Sequence, residues 1–220
     1  MITTHKSVKI ELEETILKGN LSVPQKSQRI VLFVHGSGSS RFSSRNKRVA
    51  AQFNQAGLAT LLFDLLTAQE EEADRLSGKY RFNINLLASR VVATLNWLQE
   101  KFSETFSVGL FGASTGAAAA LIAAARMPNK VGAVVSRGGR PDLAINQLHL
   151  VKAPTILIVG GNDKTVIELN RRAFDMLNVE KKLEIIKGAS HLFEEPGTLD
   201  RVAKLSIDWF NRFLQDENKI

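Results

Sequence analysis

Ser114 stands between Gly112 and Gly116 in "SVGLFGASTGAAAALIAAARMPN", where a short apolar run passes into an alanine-rich one. A serine hydroxyl attacks a carbonyl only when a base takes its proton and a third group orients that base. The chain has no cysteine, so thiolate nucleophiles, disulfides and cysteine zinc sites are excluded. "GASTG" fits G-x-S-x-G, and the fit has a physical basis. A serine in a strained strand-to-helix turn is lifted above a sheet, and small neighbours let strand and helix approach closely enough to make that turn. The competing role for Ser114 is a helix N-cap in a glycine-tolerant turn.

The base must come from four histidines. His5 lies near the start, ahead of the first expected strand, and His149 sits among apolar residues in "NQLHLVKAP". His35 ends a strand-like run and introduces "HGSGSS". His191, in "KGASHLFEEPG", follows the last strand-like run and precedes the final helical pattern, which puts it at the same carboxyl edge as Ser114. The orienting acid should fall between them. Asp163 in "ILIVGGNDKTV" directly follows a strand-like run, although it also suits the cap of the helix that begins near Thr165. Asp142 and Asp175 are placed less well, one in a loop and one inside a helical pattern. Ser114, Asp163 and His191 therefore run in the order nucleophile, acid, base.

A tetrahedral oxyanion needs donors. The N–H of Thr115 supplies one by position, and the glycines of "VHGSGSSR" can bring the N–H of Ser37 toward the nucleophile. As a phosphate cradle, "GSGSS" lacks both a G-K-[ST] ending and a full G-x-G-x-x-G, which argues against a nucleotide.

Elements must carry these groups to one place. "SVKIELEET" and "ILKGNLSVP" read as an antiparallel hairpin. The runs "RIVLFVH", "LATLLFD", "SVGLFG", "GAVVS", "TILIVG" and "KLEIIK" suit parallel strands buried on both faces. Between or after them lie helical patterns: "SSRNKRVAAQFNQAG", "NINLLASRVVATLNWLQEKF", "STGAAAALIAAARM", "TVIELNRRAFDMLN" and "LDRVAKLSIDWFNRFLQ". Strand–helix alternation with right-handed crossovers predicts a three-layer α/β sandwich in one domain, residues 1–220. Residues 65–82, "LLTAQEEEADRLSGKYRF", are charged and glycine-bearing and read as a mobile surface loop, with a lid over the pocket left open. "RGGRPDLAINQLHLVKAP" is too short for a separate cap domain.

The formal charge is +7. Its basic residues fall in scattered clusters, Arg41, Arg45, Lys47 and Arg48 in one and Arg137 with Arg140 in another. None alternates with aromatics, so solvated surface and attraction of anionic ligands are expected rather than nucleic acid. No apolar run is long enough to span a bilayer and the first residues lack a signal-peptide apolar region, so a cytoplasmic protein without membrane contact is expected.

With these motifs in place, the chain resembles the α/β-hydrolase superfamily, and within it the compact dienelactone-hydrolase-like group. The resemblance rests on "HGSGSSR", "GLFGASTGAAAAL", "VSRGGRPDL", "GGNDKTV" and "GASHLFEEPG" and covers nearly the whole chain. It implies an eight-stranded, mostly parallel sheet with the second strand reversed, helices on both faces, and a triad of Ser114, Asp163 and His191. Members of this group occur beside or fused to phosphoribosyltransferase domains. True dienelactone hydrolases use a cysteine nucleophile, so the implied activity here is cleavage of small carboxylic esters or lactones by serine, with no metal or organic cofactor. Arg137 either reads a substrate carboxylate or is a surface arginine paired with Asp142, and Arg41 is a weaker anion contact. Two alternatives stay open: an acyltransferase or peptidase using the same three residues, and a non-catalytic binding protein. A monomer or homodimer is expected, with an exposed edge strand on the C-terminal side as a dimer surface.

Overall fold

The structure, a computed structural model, describes residues 2–13, 15–102 and 106–214. Glu14 and Gln215, at the ends of two expected elements, lie outside the described residues. Eight strands form one sheet: β1 (Thr3–Leu12), β2 (Thr15–Pro24), β3 (Arg29–Val34), β4 (Ala59–Phe63), β5 (Ser107–Ala113), β6 (Ala133–Arg137), β7 (Thr155–Gly160) and β8 (Lys181–Ile186). Their order is β1-β2-β4-β3-β5-β6-β7-β8. β1 and β2 pair antiparallel from Thr3↔Pro24 to Leu12↔Thr15, and β2 is also antiparallel to β4. His5 thus lies inside the first strand rather than ahead of it. From β4 to β8 every pair is parallel. The expected sheet with a reversed second strand is the observed one.

Strands β4, β6 and β7 are buried at every residue, and β3 from Ile30 onward. That is why they read as unbroken apolar runs rather than alternating ones. Helices α1 (Ser44–Gln55) and α6 (Thr198–Phe213) cover one face, with a cluster of Phe33, Phe53, Phe111 and Phe210 beneath them. On the other face lie α3 (Ile84–Phe102), α4 (Thr115–Arg126), a 3-10 stretch (Pro141–Leu150) and α5 (Lys164–Met176). Helix α4 is buried at every residue from Thr115 to Ala124, which its alanines permit because they let α3 and the 3-10 stretch pack close on either side. No helix among the described residues is long and apolar enough to cross a membrane.

Chain direction reverses its sideways progress at β3: β4 lies on one flank and β5 on the other. The loops leaving β3 and β5 therefore part above the sheet, and open α/β sheets hold ligands in the crevice at such a switch point. Ser37 is on one of these loops and Ser114 on the other.

Residues 65–82 are not the loose loop their composition suggests. They contain α2 (Ala68–Ser77), opened by a capping box in which Thr67 and Glu70 exchange side-chain-to-backbone bonds and closed by Gly78 at φ 63°. The buried Asp74 secures the turn beyond Gly78. Its carboxylate accepts N–H bonds from Tyr80 (2.6 Å) and Arg81 (3.2 Å) and pairs with Arg81 Nε at 2.5 Å. Arg81 also donates to the Asp74 carbonyl. Acid content in a glycine-bearing stretch signals solvent contact, but here one acid turns inward and organises its neighbours.

Candidate active site

Ser114 joins β5 to α4 with φ 51° and ψ −124°. A positive φ is costly for a residue with a side chain and persists only where its surroundings enforce it. Glycines make the enforcement possible. A Cβ on Gly112 would lie 2.5 Å from Ala117 Cα, and one on Gly116 would overlap the carbonyl oxygens of Val34 and His35. Strand and helix could not meet with larger residues. The backbone of the turn is fixed by Ser114 N–H donating to the Arg137 carbonyl (3.2 Å) and by Arg140 N–H donating to the Ser114 carbonyl (3.0 Å). The Ser114 side chain makes no capping bond to α4. That removes the competing role as an N-cap.

Asp163 does two jobs with two oxygens. Oδ1 accepts the Val166 N–H at 3.4 Å and caps α5, while Oδ2 lies 2.6 Å from His191 Nδ1. In sequence, capping and orientation are alternatives; the geometry shows both. The imidazole is partly exposed at 38% and the carboxylate largely covered at 17%. The loop carrying His191 is held by Glu195, whose carboxylate accepts the Ser190 N–H at 3.0 Å. That bond keeps the Glu195 carboxyl below its ordinary range.

The His191 loop packs closely on Gly138. A Cβ there would meet the His191 carbonyl at 3.1 Å and His191 Cε1 at 3.6 Å, and Gly138 comes directly after Arg137, the residue bonded to Ser114 N–H. The acid–imidazole half is closed, while the Ser114 hydroxyl makes no hydrogen bond among the described residues. Bonds of this type commonly tighten only when substrate is present.

Ser37 lies against the same elbow. Its N–H donates to Thr115 Oγ1 at 2.9 Å, the two hydroxyls are 2.9 Å apart, and Ser37 Oγ donates to the Arg81 carbonyl at 3.0 Å. The expected donor is thus placed against the Ser114–Thr115 turn but is engaged by a neighbouring hydroxyl. A cavity of about 410 Å3 opens on the other side of this loop, lined by Ser37, Leu65, Leu66, Glu71, Arg81 and Leu87 among others. It borders the site at Ser37 rather than enclosing Ser114.

Of the remaining histidines, His5 bonds Ser22 Oγ on the hairpin and His149 is exposed on the 3-10 stretch. His35 is buried, with Nδ1 on the Gly36 carbonyl and Nε2 accepting the Leu65 N–H. Burial lowers its pKa and keeps it neutral, as a strut between two loops.

The arginines divide differently from the sequence expectation. Arg41 is bound to Asp64 through its guanidinium and through its own N–H, so that carboxylate already holds the anion site it could offer. Asp142 pairs with Arg140, not with Arg137. Arg137 is 5% exposed, neither a surface arginine nor paired with an acid among the described residues. Sequence reasoning missed its neighbour Asn46, the Thr115 hydroxyl on Ser37, and Asp74 as an anchor, because each depends on a contact between distant elements or an inward turn.

Comparison with known proteins places this geometry. The family model described as "Dienelactone hydrolase family" matches residues 17–215. A crystal structure of dienelactone hydrolase from Anabaena variabilis superposes with a TM-score of 0.95 at 54% identity, covering 97% of this chain and 99% of that one. An esterase from Pyrococcus furiosus shares the fold at a TM-score of 0.75 and 17% identity, over 96% and 92% of the two chains. A Mycobacterium tuberculosis protein named "Putative phosphoribosyl transferase" is 56% identical over 193 residues. That match takes in 87% of this chain but only 43% of the relative, so the chain spans less than half of the curated protein it resembles. Sheet order, elbow and family match agree, and the chain belongs to the dienelactone hydrolase family of α/β hydrolases.

Proposed function

We propose that this hydrolase-family protein cleaves small carboxylic esters or lactones with Ser114 as nucleophile. The observation that supports the reading is a hydroxyl on a strained elbow that caps nothing, at the same carboxyl edge of the sheet as an imidazole bonded to a carboxylate. Nε2 of His191 takes the Ser114 proton as Oγ attacks the carbonyl carbon, and Asp163 on Nδ1 fixes the tautomer and stabilises the imidazolium. The tetrahedral oxygen accepts N–H bonds from Thr115 and Ser37, each worth about 3 kcal/mol of barrier. For Ser37 to serve, the Thr115 hydroxyl must turn away and the oxyanion take its place. The imidazolium protonates the leaving alcohol, and water, activated by His191, then cleaves the acyl-enzyme and returns the serine.

The cysteine of true dienelactone hydrolases is absent, so the substrate is set by this chain's own site rather than by the family name. The transferase name belongs to a relative more than half of which has no counterpart here, and it adds nothing to the chemistry at Ser114.

Ser114→Ala should lower hydrolysis of p-nitrophenyl acetate by at least ~10^4-fold, the usual scale for losing the nucleophile. It should also lose labelling by a fluorophosphonate. Retained turnover would refute the assignment. Asp163→Asn keeps a capping oxygen for α5, so kcat should fall about 10^4-fold while the melting temperature stays near that of the parent. Equal loss of both would make Asp163 a structural residue only.

A further inference from the structure

Among the described residues, three other than glycine have a backbone in the left-handed region: Lys26, Ser114 and Phe193. Lys26 turns the chain between β2 and β3. The other two lie at the candidate site. For a bulky side chain such a backbone is a true outlier, and outliers of this kind collect at functional sites and persist only where their surroundings hold them. The elbow accounts for Ser114. Phe193, at φ 57° and two residues beyond His191, calls for a reason of its own.

The Phe193 N–H donates to the Ser190 carbonyl at 3.2 Å, closing a four-residue turn with His191 and Leu192 in the middle. The left-handed backbone then sends the ring inward. Phe193 is 2% exposed and belongs to the aromatic cluster beneath α1 and α6, while Leu192 stays at the surface. From Ser190 to Thr198 no other residue is buried. Glu195 fastens the loop only to itself, its carboxylate accepting the Ser190 N–H and its carbonyl the Thr198 hydroxyl at 2.7 Å. The Arg45–Glu194 pair is an exposed contact, of a kind that holds little. Phe193 is the side chain by which this loop grips the core.

What it grips is the end of β6. A Cβ on Gly138 would lie 3.4 Å from Phe193 Cε2 and 3.6 Å from His191 Cε1, so both rings face one glycine. Gly138 is itself fixed, its N–H donating to the Ile158 carbonyl of β7 at 2.8 Å. The residue before it, Arg137, gives its carbonyl to the Ser114 N–H. The imidazole and the backbone of Ser114 are therefore referred to the same strand end, one through Phe193 and Gly138, the other through Arg137. A misplacement of about 1 Å between reacting groups is enough to cost about a hundredfold in rate.

We propose that Phe193 is a positioning residue for His191, its ring locked inward by a left-handed backbone so that the imidazole keeps a fixed place against the β6 end that also holds the Ser114 N–H. This rests on the reading of His191 as the base that serves Ser114, and it makes Phe193 act through His191 rather than on the substrate. Phe193 also borders a cleft of about 690 Å3 between α1 and the His191 loop, so the rival role is substrate binding, which KM would report.

The test sets Phe193→Leu and Phe193→Ala beside Phe53→Leu, a matched loss in the same cluster at a residue of α1 whose ring partners are Phe33, Phe111 and Phe210. With p-nitrophenyl acetate, below the melting temperature of each variant, kcat should fall about tenfold in Phe193→Leu and about a hundredfold in Phe193→Ala, with KM within about twofold of the parent. Fluorophosphonate labelling of Ser114, which needs the same base, should slow in step. Phe53→Leu should lose melting temperature to a comparable degree, yet keep kcat within about twofold of the parent, the contrast expected of packing against placement. Ser114, Asp163 and His191 are present in all three variants.

A fall in kcat no larger in Phe193→Leu than in Phe53→Leu makes Phe193 ordinary packing and overturns the positioning role while leaving the hydrolase reading intact. A rise in KM at constant kcat overturns it as well, and gives the ring to the cleft. Where Phe193→Ala does not fold, the pair of leucine variants decides alone. A parent protein that hydrolyses no ester and takes no fluorophosphonate label overturns the reading of His191 as a base, and the positioning role with it.

Discussion

Two segments border Ser37, and they are built on opposite principles. On one side, residues 112–116 make a turn whose shape comes from what is missing: two glycines without Cβ atoms, and a serine at φ 51° that nothing caps. On the other side, residues 65–83 are shaped by what is present, chiefly one buried carboxylate, Asp74, gripping the N–H groups of Tyr80 and Arg81. The first is dictated by backbone sterics, tolerates almost no substitution, and shows plainly in a short sequence pattern. The second depends on a side chain folding back on its own neighbours, and it looks in sequence like any charged loop. Ser37 touches both, through Thr115 on one side and the Arg81 carbonyl on the other.

The comparison is most sharply tested at Gly116. Helix propensity alone favours alanine over glycine by about 1 kcal/mol in a helix. Here the added methyl overlaps two strand-end carbonyls, so Gly116→Ala should instead cost about 3 kcal/mol, a fall of roughly 10 °C in melting temperature. A neutral or stabilising result in thermal melts would mean that the elbow is not sterically closed.

Asp74→Asn should act more locally. Residues 65–83 should become the preferred site of limited proteolysis and lose amide protection, while α4 and the central strands keep theirs. Unchanged protection across this segment would show that the carboxylate is not its anchor. The acid also gives the segment a pH signature. Burial pushes the Asp74 carboxyl up, but the N–H of Tyr80 and the bonds from Arg81 outweigh it, and the folded pKa lies below the ordinary 3.8. The unfolded chain therefore binds the proton first as pH falls. The contribution is complete well above pH 3.8 and is lost as pH drops through that value toward the lower folded pKa. Protection of residues 65–83 measured by hydrogen exchange down an acid series should track this loss in the parent and be flat in Asp74→Asn.

The smallest effect is expected where the two segments meet. Thr115→Val removes the hydroxyl on Ser37 N–H while keeping the shape and the Thr115 N–H. Ester turnover should change by no more than about threefold, since each proposed oxyanion donor is a backbone group. A loss of a hundredfold would show that the hydroxyl, not the Ser37 N–H, meets the oxyanion.

The sequence was most informative where backbone geometry and burial leave a local imprint. β3 to β7 read correctly because their residues are shielded on both faces, and Ser114, Asp163 and His191 each fall just beyond a strand, where a parallel sheet collects its loops. Helix α2 escaped notice since its stripe is thin: Asp74 is its buried residue, and an acid carries no apolar period. Sequence ranks Arg41 below Arg137 as an anion contact but gives no partner for either, because Asp64 and Asn46 lie 23 and 91 residues away. Pairing across elements sets the availability of a charge, and no local pattern records it.

Helix α4 has no solvent face over its first ten residues. A twelve-residue helix, even one rich in alanine, is marginal in water by itself, so this one exists only when α3, the 3-10 stretch and the sheet have closed around it. Ser114 hangs from its first turn. The geometry proposed as reactive therefore cannot survive in a half-assembled chain, and, with Ser114 as the proposed nucleophile, a covalent probe of that hydroxyl becomes a census of fully folded molecules.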